Sequence, residues 1–219
     1  MDFSRVNWDK IIEKTIETLI MTSESLIAVF ILGMVLGLLL YLTSTSNNKL
    51  VITVYTIITA IVNIFRAIPF IILIVLLIPF TKVLVGTILG VQAAIPALII
   101  SSAPFYARLV EIGLREVDKG VIEAAKAMGA KNITIITKVL IPESKPALIS
   151  GITVTAIALV GSTAMAGVIG AGGLGNLAYL DGFQRNNNAV TLVSTIVILI
   201  IVFVVQYLGD FAVKKVDKR

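Results

Sequence analysis

Apolar residues run in five long stretches along the chain, about 19–42, 50–80, 83–107, 146–169 and 189–212, separated by polar clusters. A bilayer core takes roughly 20 mostly apolar residues of helix, so each stretch is long enough to span. The second overshoots: residues 50–80 would make about 46 Å of helix. It also carries Asn63, Arg66, Pro69 and Pro79. Pro69 is the natural kink, and one bent span is expected there. The pattern predicts an all-α membrane protein with five transmembrane helices.

Before the first stretch, Ile11, Ile12, Ile16, Leu19 and Ile20 recur at helical spacing, with charged residues between them. Residues 1–18 read as an amphipathic segment, outside or at the interface, with Trp8 as a belt residue. A solvated lead-in helix fits the same spacing. Mixed charge and the lack of a small-residue cleavage site argue against a cleaved signal peptide.

The one long polar stretch is 108–145. Its spacing puts Val121, Ile122, Ala125 and Met128 on one helical face. Gly129 suits the left-handed position that ends a helix. A second short run, Ile133, Ile136 and Leu140, is expected to stop at Pro142. The result is an elbow with an apolar stripe that needs a partner to cover it.

Composition narrows the classes. The chain is 58% hydrophobic and 14% charged, with mean hydropathy +1.02; a soluble domain carries about 25% charged residues. Without Cys or His there is no disulfide, thiolate, imidazole base or His metal ligand. No nucleophile–base pair or metal cluster supports an enzyme, and no Walker sequence supports ATP binding by this chain. The acids Glu24 and Asp210 lie near span ends, which argues against a proton-coupled carrier.

The +5 net charge is unevenly spread. Twelve of the 18 Lys and Arg fall near Lys49, in 108–145 and in the 213–219 tail. Arg5, Lys10, Lys14, Lys82 and Arg185 fall on the other side, and Arg66 lies within a span. The positive-inside rule puts the long loop and C-terminus in the cytoplasm and the N-terminus outside. That accounts for the charge without a nucleic-acid partner.

The elbow carries a pattern. Glu123-Ala124-Ala125, three residues, Gly129, nine residues, then Val139-Leu140-Ile141-Pro142 resembles the EAA loop of ABC-importer permeases. That family's pattern is E-A-A, x3, G, x9, I-x-L-P, and the two departures, Val139 and Ile141, keep apolar side chains of similar size. Residues 61–70, 103–111 and the glycines after the fourth span look like methionine-import permeases, and five spans suit that subfamily. The resemblance implies a type I ABC importer transmembrane domain in a bacterial cytoplasmic membrane. Its partners would be a second copy of the chain, two ATP-binding subunits holding ATP and magnesium, and an external binding protein or lipoprotein. The chain itself would bind no cofactor or metal and would have no catalytic residue. Docking on the ATPase would fall to Val121, Ile122, Glu123, Ala124, Ala125, Met128, Gly129 and Pro142. Relatives that carry betaine, phosphonate or other amino acids share several of these blocks. A self-sufficient channel or secondary transporter is the reading from another class.

Three constellations remain open. Gly170-Ala171-Gly172-Gly173-Leu174-Gly175 matches a dinucleotide fingerprint by letter but follows a membrane helix and not a strand. It reads as an outer turn or a break facing protein or water, with a part in an outer gate as a further reading. Arg66 costs about 2.5–3.5 kcal/mol at a helix centre; it either meets a substrate carboxylate or makes an interdomain ion pair, or is held in a network with Asn63 and carbonyls freed at Pro69. The network is preferred, on the expectation that Arg66 lies nearer the inner end than the midplane. Small and hydroxyl residues crowd the fourth span, first for close packing. Ser162, Thr163 and Met165, with Asn63 and Arg66, are also candidates to line a pathway. Gly33-x3-Gly37 and Gly86-x3-Gly90 both read as helix packing.

Overall fold

The structure, a computed structural model, describes residues 3, 6–44 and 48–217. Arg5, Lys218 and Arg219 of the charge count, and parts of the 1–18 and 213–219 segments, lie outside the described residues. Among the described residues, five helices are long and apolar enough to cross a membrane. In chain order the helices are α1 Trp8–Ser44, α2 Lys49–Ala67, α3 Phe70–Leu76, α4 Ile78–Val85, α5 Val91–Arg115, α6 Lys119–Ala127, α7 Asn132–Ile135, α8 Ile141–Ala166, α9 Gly173–Leu177 and α10 Asn188–Val216.

Helix α5 is the axis. Its Ala97, Leu98, Tyr106, Val110 and Leu114 are buried in one core with Met21 and Val29 of α1 and Leu148 and Leu159 of α8. Gly33 and Gly37 let α1 approach: a Cβ on Gly33 would stand 2.6 Å from the Tyr106 ring, and one on Gly37 2.5 Å from Val110. Backbone contact of this kind is how helices gain dispersion energy where lipid removes the hydrophobic drive. The Tyr106 hydroxyl, inside this core, donates to the Leu148 carbonyl at 3.4 Å. Helix α10 packs along α8, where Gly209 faces Thr153.

Several helix limits differ from those the apolar pattern suggested. Helix α1 is unbroken from Trp8 to Ser44, about 55 Å at 1.5 Å per residue, so its first turns continue the span instead of lying across it. No Gly or Pro interrupts residues 8–32, and Thr15, Thr18 and Thr22 donate to the carbonyls four residues back. The buried side is also the reverse of the soluble pattern. Ile11, Thr18, Met21, Thr22 and Ser25 face inward, while Ile12, Ile16 and Leu19 are exposed.

The 50–80 stretch breaks at Pro69, and again at Leu77. The next span starts at Val91 and not near 83, because Gly86 and Gly90 both have positive φ, 84° and 89°, and form a turn. A Cβ on either would meet nothing within 4 Å, so this pair serves the turn and not helix packing. Pro142 does not stop the helical run. Residues 136–140 make a wide π turn in which Ile141 N–H reaches the Ile136 carbonyl, five residues back. Pro142 then falls in the first turn of α8, where an N–H has no helical partner to lose.

The bundle has two distinct ends. One gathers the first turns of α1, the 86–90 turn and the glycine bend, joined by Glu17 to Gly173 and Gly90 to Gly170. The other gathers the elbow, Tyr41 at the end of α1, and Asp217 after α10.

Candidate functional site

At the elbow end, Asp118 caps α6 by accepting the Gly120 N–H at 2.6 Å. The helix closes with two reverse bonds, Ala130 N–H to Ala125 O at 3.1 Å and Gly129 N–H to Lys126 O at 2.9 Å. Gly129 sits at φ 78°. That is a Schellman stop, whose left-handed residue is normally glycine. It turns the chain sharply toward α7 and leaves α6 projecting from the bundle.

The four residues expected on one face of α6 divide. Ala125 is buried and Ile122 packs on the core, together with Ile135 and Leu140. Val121, Ala124 and Met128 stay exposed at i, i+3 and i+7, Met128 at 82%. The inner pair anchors α6; the outer three form the uncovered surface. Glu123 is exposed on the flank of α6 and, with Lys119, Lys126 and Tyr41, lines a cavity of about 530 Å³. Pro142 is half-buried behind it.

The five pathway candidates are not gathered by one chain. Asn63 and Arg66 are exposed on α2, and neither has a hydrogen-bond or ion-pair partner among the described residues. The network expected between them is therefore not formed. Arg66 also lies at the far end of α2 from Lys49, about 25 Å along the helix, which corrects its expected place near the elbow end. Asn63 belongs to an exposed stripe, Thr53, Thr56, Ala60, Asn63 and Ala67, with spacing 3, 4, 3, 4. Tyr55, Ile58 and Val62, on another face, pack against α1 and α5. On α8, Met165 is 51% exposed in a stripe with Ala158 and Gly161. Ser162 is half-buried and donates to Ala158 O at 3.1 Å. Thr163 is buried and donates to Val160 O at 2.7 Å, so it faces the core instead of the open side.

At the glycine bend, Gly170, Gly172 and Gly173 have φ of 101°, 85° and 75°. The amides a nucleotide would need are spent: Gly173 N–H donates to Glu17 at 2.6 Å and Leu174 N–H to Thr18 Oγ1 at 2.9 Å. Gly90 N–H closes the other side onto Gly170 O at 2.9 Å. Glu17 also takes Lys14 at 2.6 Å, and nearby Asp181 takes Lys10 and Arg185. The bend is a clamped break in the helix, and no group able to hold a metal is found among the described residues.

Two features escaped the sequence. Glu17 and Gly173 are 156 residues apart, and nothing local announces the pair. The buried Glu111 between Arg108 and Arg115 does leave a signal, since acid and bases stand at i−3 and i+4, the contact spacing of a helix.

Comparison with known proteins fits this geometry. The methionine import system permease protein MetP of Bacillus subtilis is 69% identical over 184 residues, 83% of this chain and 82% of that one. The probable D-methionine transport system permease protein MetI of Pasteurella multocida is 44% identical over 97% of this chain and 98% of its own. Among solved structures, inward-facing conformations of the MetNI methionine ABC transporter superpose with a TM-score of 0.92 at 44% identity, covering 95% of this chain and 97% of that one. An amino acid ABC transporter shares the fold at 20% identity and TM-score 0.71. Residues 29–219 match the model of the binding-protein-dependent transport system inner membrane component, and the chain belongs to that family, with the fold of a type I ABC importer permease.

Proposed function

We propose that this chain is the membrane-spanning permease subunit of an ATP-driven importer that carries methionine, as the L or D form, across a bacterial cytoplasmic membrane. The observation that carries this is the projecting α6, with Val121, Ala124 and Met128 uncovered, on a bundle whose relatives are named methionine permeases. An exposed apolar face held by a firm stop is a lever end that lacks its socket. The socket is the surface of a separate ATP-binding subunit, which holds ATP and magnesium; this chain binds neither and carries out no bond chemistry. Small Ala124 allows close approach, and Glu123 accepts hydrogen bonds from the partner.

Two copies of the chain make the pathway. Support comes from α2, whose Thr53, Thr56 and Asn63 are open in one chain. Thr53 and Thr56 donate to the Lys49 and Ile52 carbonyls of their own helix, but the Asn63 amide has no partner among the described residues. An unpaired amide in a span faces a bundle interior or water, not lipid, so that face turns to the molecular axis. Arg66, Ser162 and Met165 lie beside the same route, and Thr163 serves packing. The elbow end lies in the cytoplasm, where its excess of Lys and Arg belongs. The bend end lies outside, toward the external binding protein after which the family is described. ATPase closure moves both elbows as rigid bodies and exchanges inward for outward access.

Uptake of labelled methionine and ATP hydrolysis in proteoliposomes test this, with this chain, its ATPase and its binding protein, with and without Glu123→Lys. ATP-dependent uptake is expected, and the substitution should cut it by about tenfold or more, the equivalent of roughly 1.4 kcal/mol, while the chain still inserts. ATP-coupled transport of a different solute keeps the mechanism and replaces the substrate. Transport by the chain alone, without ATPase, overturns it.

A further inference from the structure

Most of the elbow half of α5 is buried, and Leu109 lies under Gly151 of α8. The residues left open are Ser101, Phe105, Arg108, Ile112 and Arg115. Their spacing of 4, 3, 4 and 3 makes one stripe along the helix. Three neighbours fix where the stripe points. Helix α1 meets α5 at Tyr106 and Val110, and α8 meets it at Leu109 and Gly113. Val62 of α2 packs with Ala107, and α2 shares a cavity with Ile100 and Pro104. At about 100° per residue, the stripe is centred roughly 160° from the α1 side and roughly 100° from both α2 and α8. It therefore opens between the two helices that carry the other uncovered polar and small-residue stripes. It points away from α1, whose exposed residues from Ile27 to Leu42 are all apolar.

Arg108 stands mid-stripe, about 10 Å along the helix from Arg115 at the end of α5. A guanidinium at that depth faces water or protein and not lipid. Its neighbour Glu111 is 1% exposed, and both carboxylate oxygens are engaged. Arg115 gives Oε1 two bonds, from Nη2 at 2.7 Å and Nε at 3.2 Å, and so spends its Nε–Nη2 edge. Arg108 gives Oε2 one bond, from Nη1 at 2.6 Å. Its own Nε–Nη2 edge has no partner among the described residues. Two cations and one buried anion leave one net positive charge, carried beside a free pair of parallel donors. Phe105 and Ile112 stand at i−3 and i+4 from Arg108, on the same face.

We propose that Arg108 is a binding residue of the transport route, whose free edge takes the carboxylate of an amino acid while Phe105 and Ile112 take its apolar side chain. This rests on the function proposed above and adds a stop in the elbow half of the route. Two parallel N–H···O bonds match the geometry of a carboxylate, and a thioether packs well against an aromatic ring. Glu111 is a positioning residue: it orients the Arg108 fork and tempers its charge. That tempering matters, because a stop on a route has to release as well as bind. Arg115 balances Glu111.

The chain has no Cys, so Ile112→Cys places a single thiol on the stripe. The assembled permease–ATPase complex in nanodiscs, without nucleotide, is treated with a charged, water-soluble thiol reagent, and labelling of this chain is read by mass. The thiol should react, and saturating methionine should slow the reaction about fivefold or more. Methioninol, with the same side chain and amine but a hydroxyl in place of the carboxylate, should not. Adding Arg108→Gln should leave the thiol reactive and remove the protection. Arg108→Lys keeps the cation and a donor for Glu111 but loses the two-donor edge, and should keep only part of the protection. An unreactive thiol overturns the proposal, because the stripe then faces no water. Equal protection by methioninol overturns it too, as does full protection in both Arg108 variants, the result for a merely structural arginine. ATP-driven methionine uptake by the unaltered complex with its binding protein separates the two readings. Uptake without protection at residue 112 leaves the importer standing and this site refuted. Without ATP-driven methionine uptake, the function proposed above fails and the site fails with it.

Discussion

Gly37 and Gly129 are both irreplaceable by alanine, for opposite reasons. Gly37 lies inside α1 with ordinary helical backbone, but the space a Cβ needs is filled by Val110 and the Ala107 carbonyl, at 2.5 and 2.7 Å. Gly129 has nothing within 4 Å of that position, but its φ is 78°. The first is a demand for volume, the second a demand for conformation. Asparagine separates them, because it tolerates the left-handed region and yet is larger than alanine. Gly129→Ala should cost about 1–2 kcal/mol of α6 stability, read as faster hydrogen exchange of the amides at 126–130, and Gly129→Asn should cost distinctly less. At Gly37 the order reverses: Gly37→Ala should lose about 1–3 kcal/mol by overpacking, and Gly37→Asn more, read as the thermal midpoint of the detergent-solubilised complex. Equal behaviour of Ala and Asn at residue 129 would sink the conformational account.

At the scale of the element, α1 has two jobs. Its second half fills the trunk, and its first turns cap the glycine bend through Glu17 and Thr18. Glu17→Ala removes the acceptor for the Gly173 N–H, and a lone buried donor costs about 1–3 kcal/mol. Exchange at the 173 and 174 amides should rise by a comparable factor, with α5 amides unaffected, and Glu17→Gln should restore part of the protection because it keeps an acceptor oxygen. The same helix marks how far sequence reasoning reaches. Apolar length located all five spans, and the Gly129 stop followed from spacing and one residue type. Helix ends were less legible. Nothing in 83–90 says that Gly86 and Gly90 make a turn instead of a packing face, since the same four-residue spacing serves both. Pro142 looked like a terminator because a π turn five residues long, which has no sequence signature, had absorbed its missing N–H. The split of Val121 and Met128 from Ile122 and Ala125 depends on where α6 meets Ile135 and Leu140, a tertiary fact. Pairs such as Glu17 with Gly173 belong to the same class.

At the scale of the whole molecule, one orientation has to satisfy two independent demands. Lysines 119, 126, 131 and 138 share the elbow end with the uncovered face of α6, while Lys10, Lys14 and Arg185 belong to the bend end. The ATP-binding partner proposed for the elbow would have to reach it from the cytoplasm, and the positive-inside rule puts the richer set of cations there as well. Single cysteines in the Cys-free chain test the agreement directly. Gln184→Cys, exposed beyond the bend, should react with a membrane-impermeant maleimide in intact cells. Lys131→Cys should react after the membrane is opened and not before. The reverse pattern would place α6 where no ATP is available, and its uncovered face would then need a partner of another kind. Labelling of both sites in intact cells would mean that the chain inserts in two directions, and +5 of net charge would be too weakly sorted to orient it. The expected pattern ties charge, elbow and energy source to one side of the membrane, and it is the condition under which the lever of α6 can act on the pathway at all.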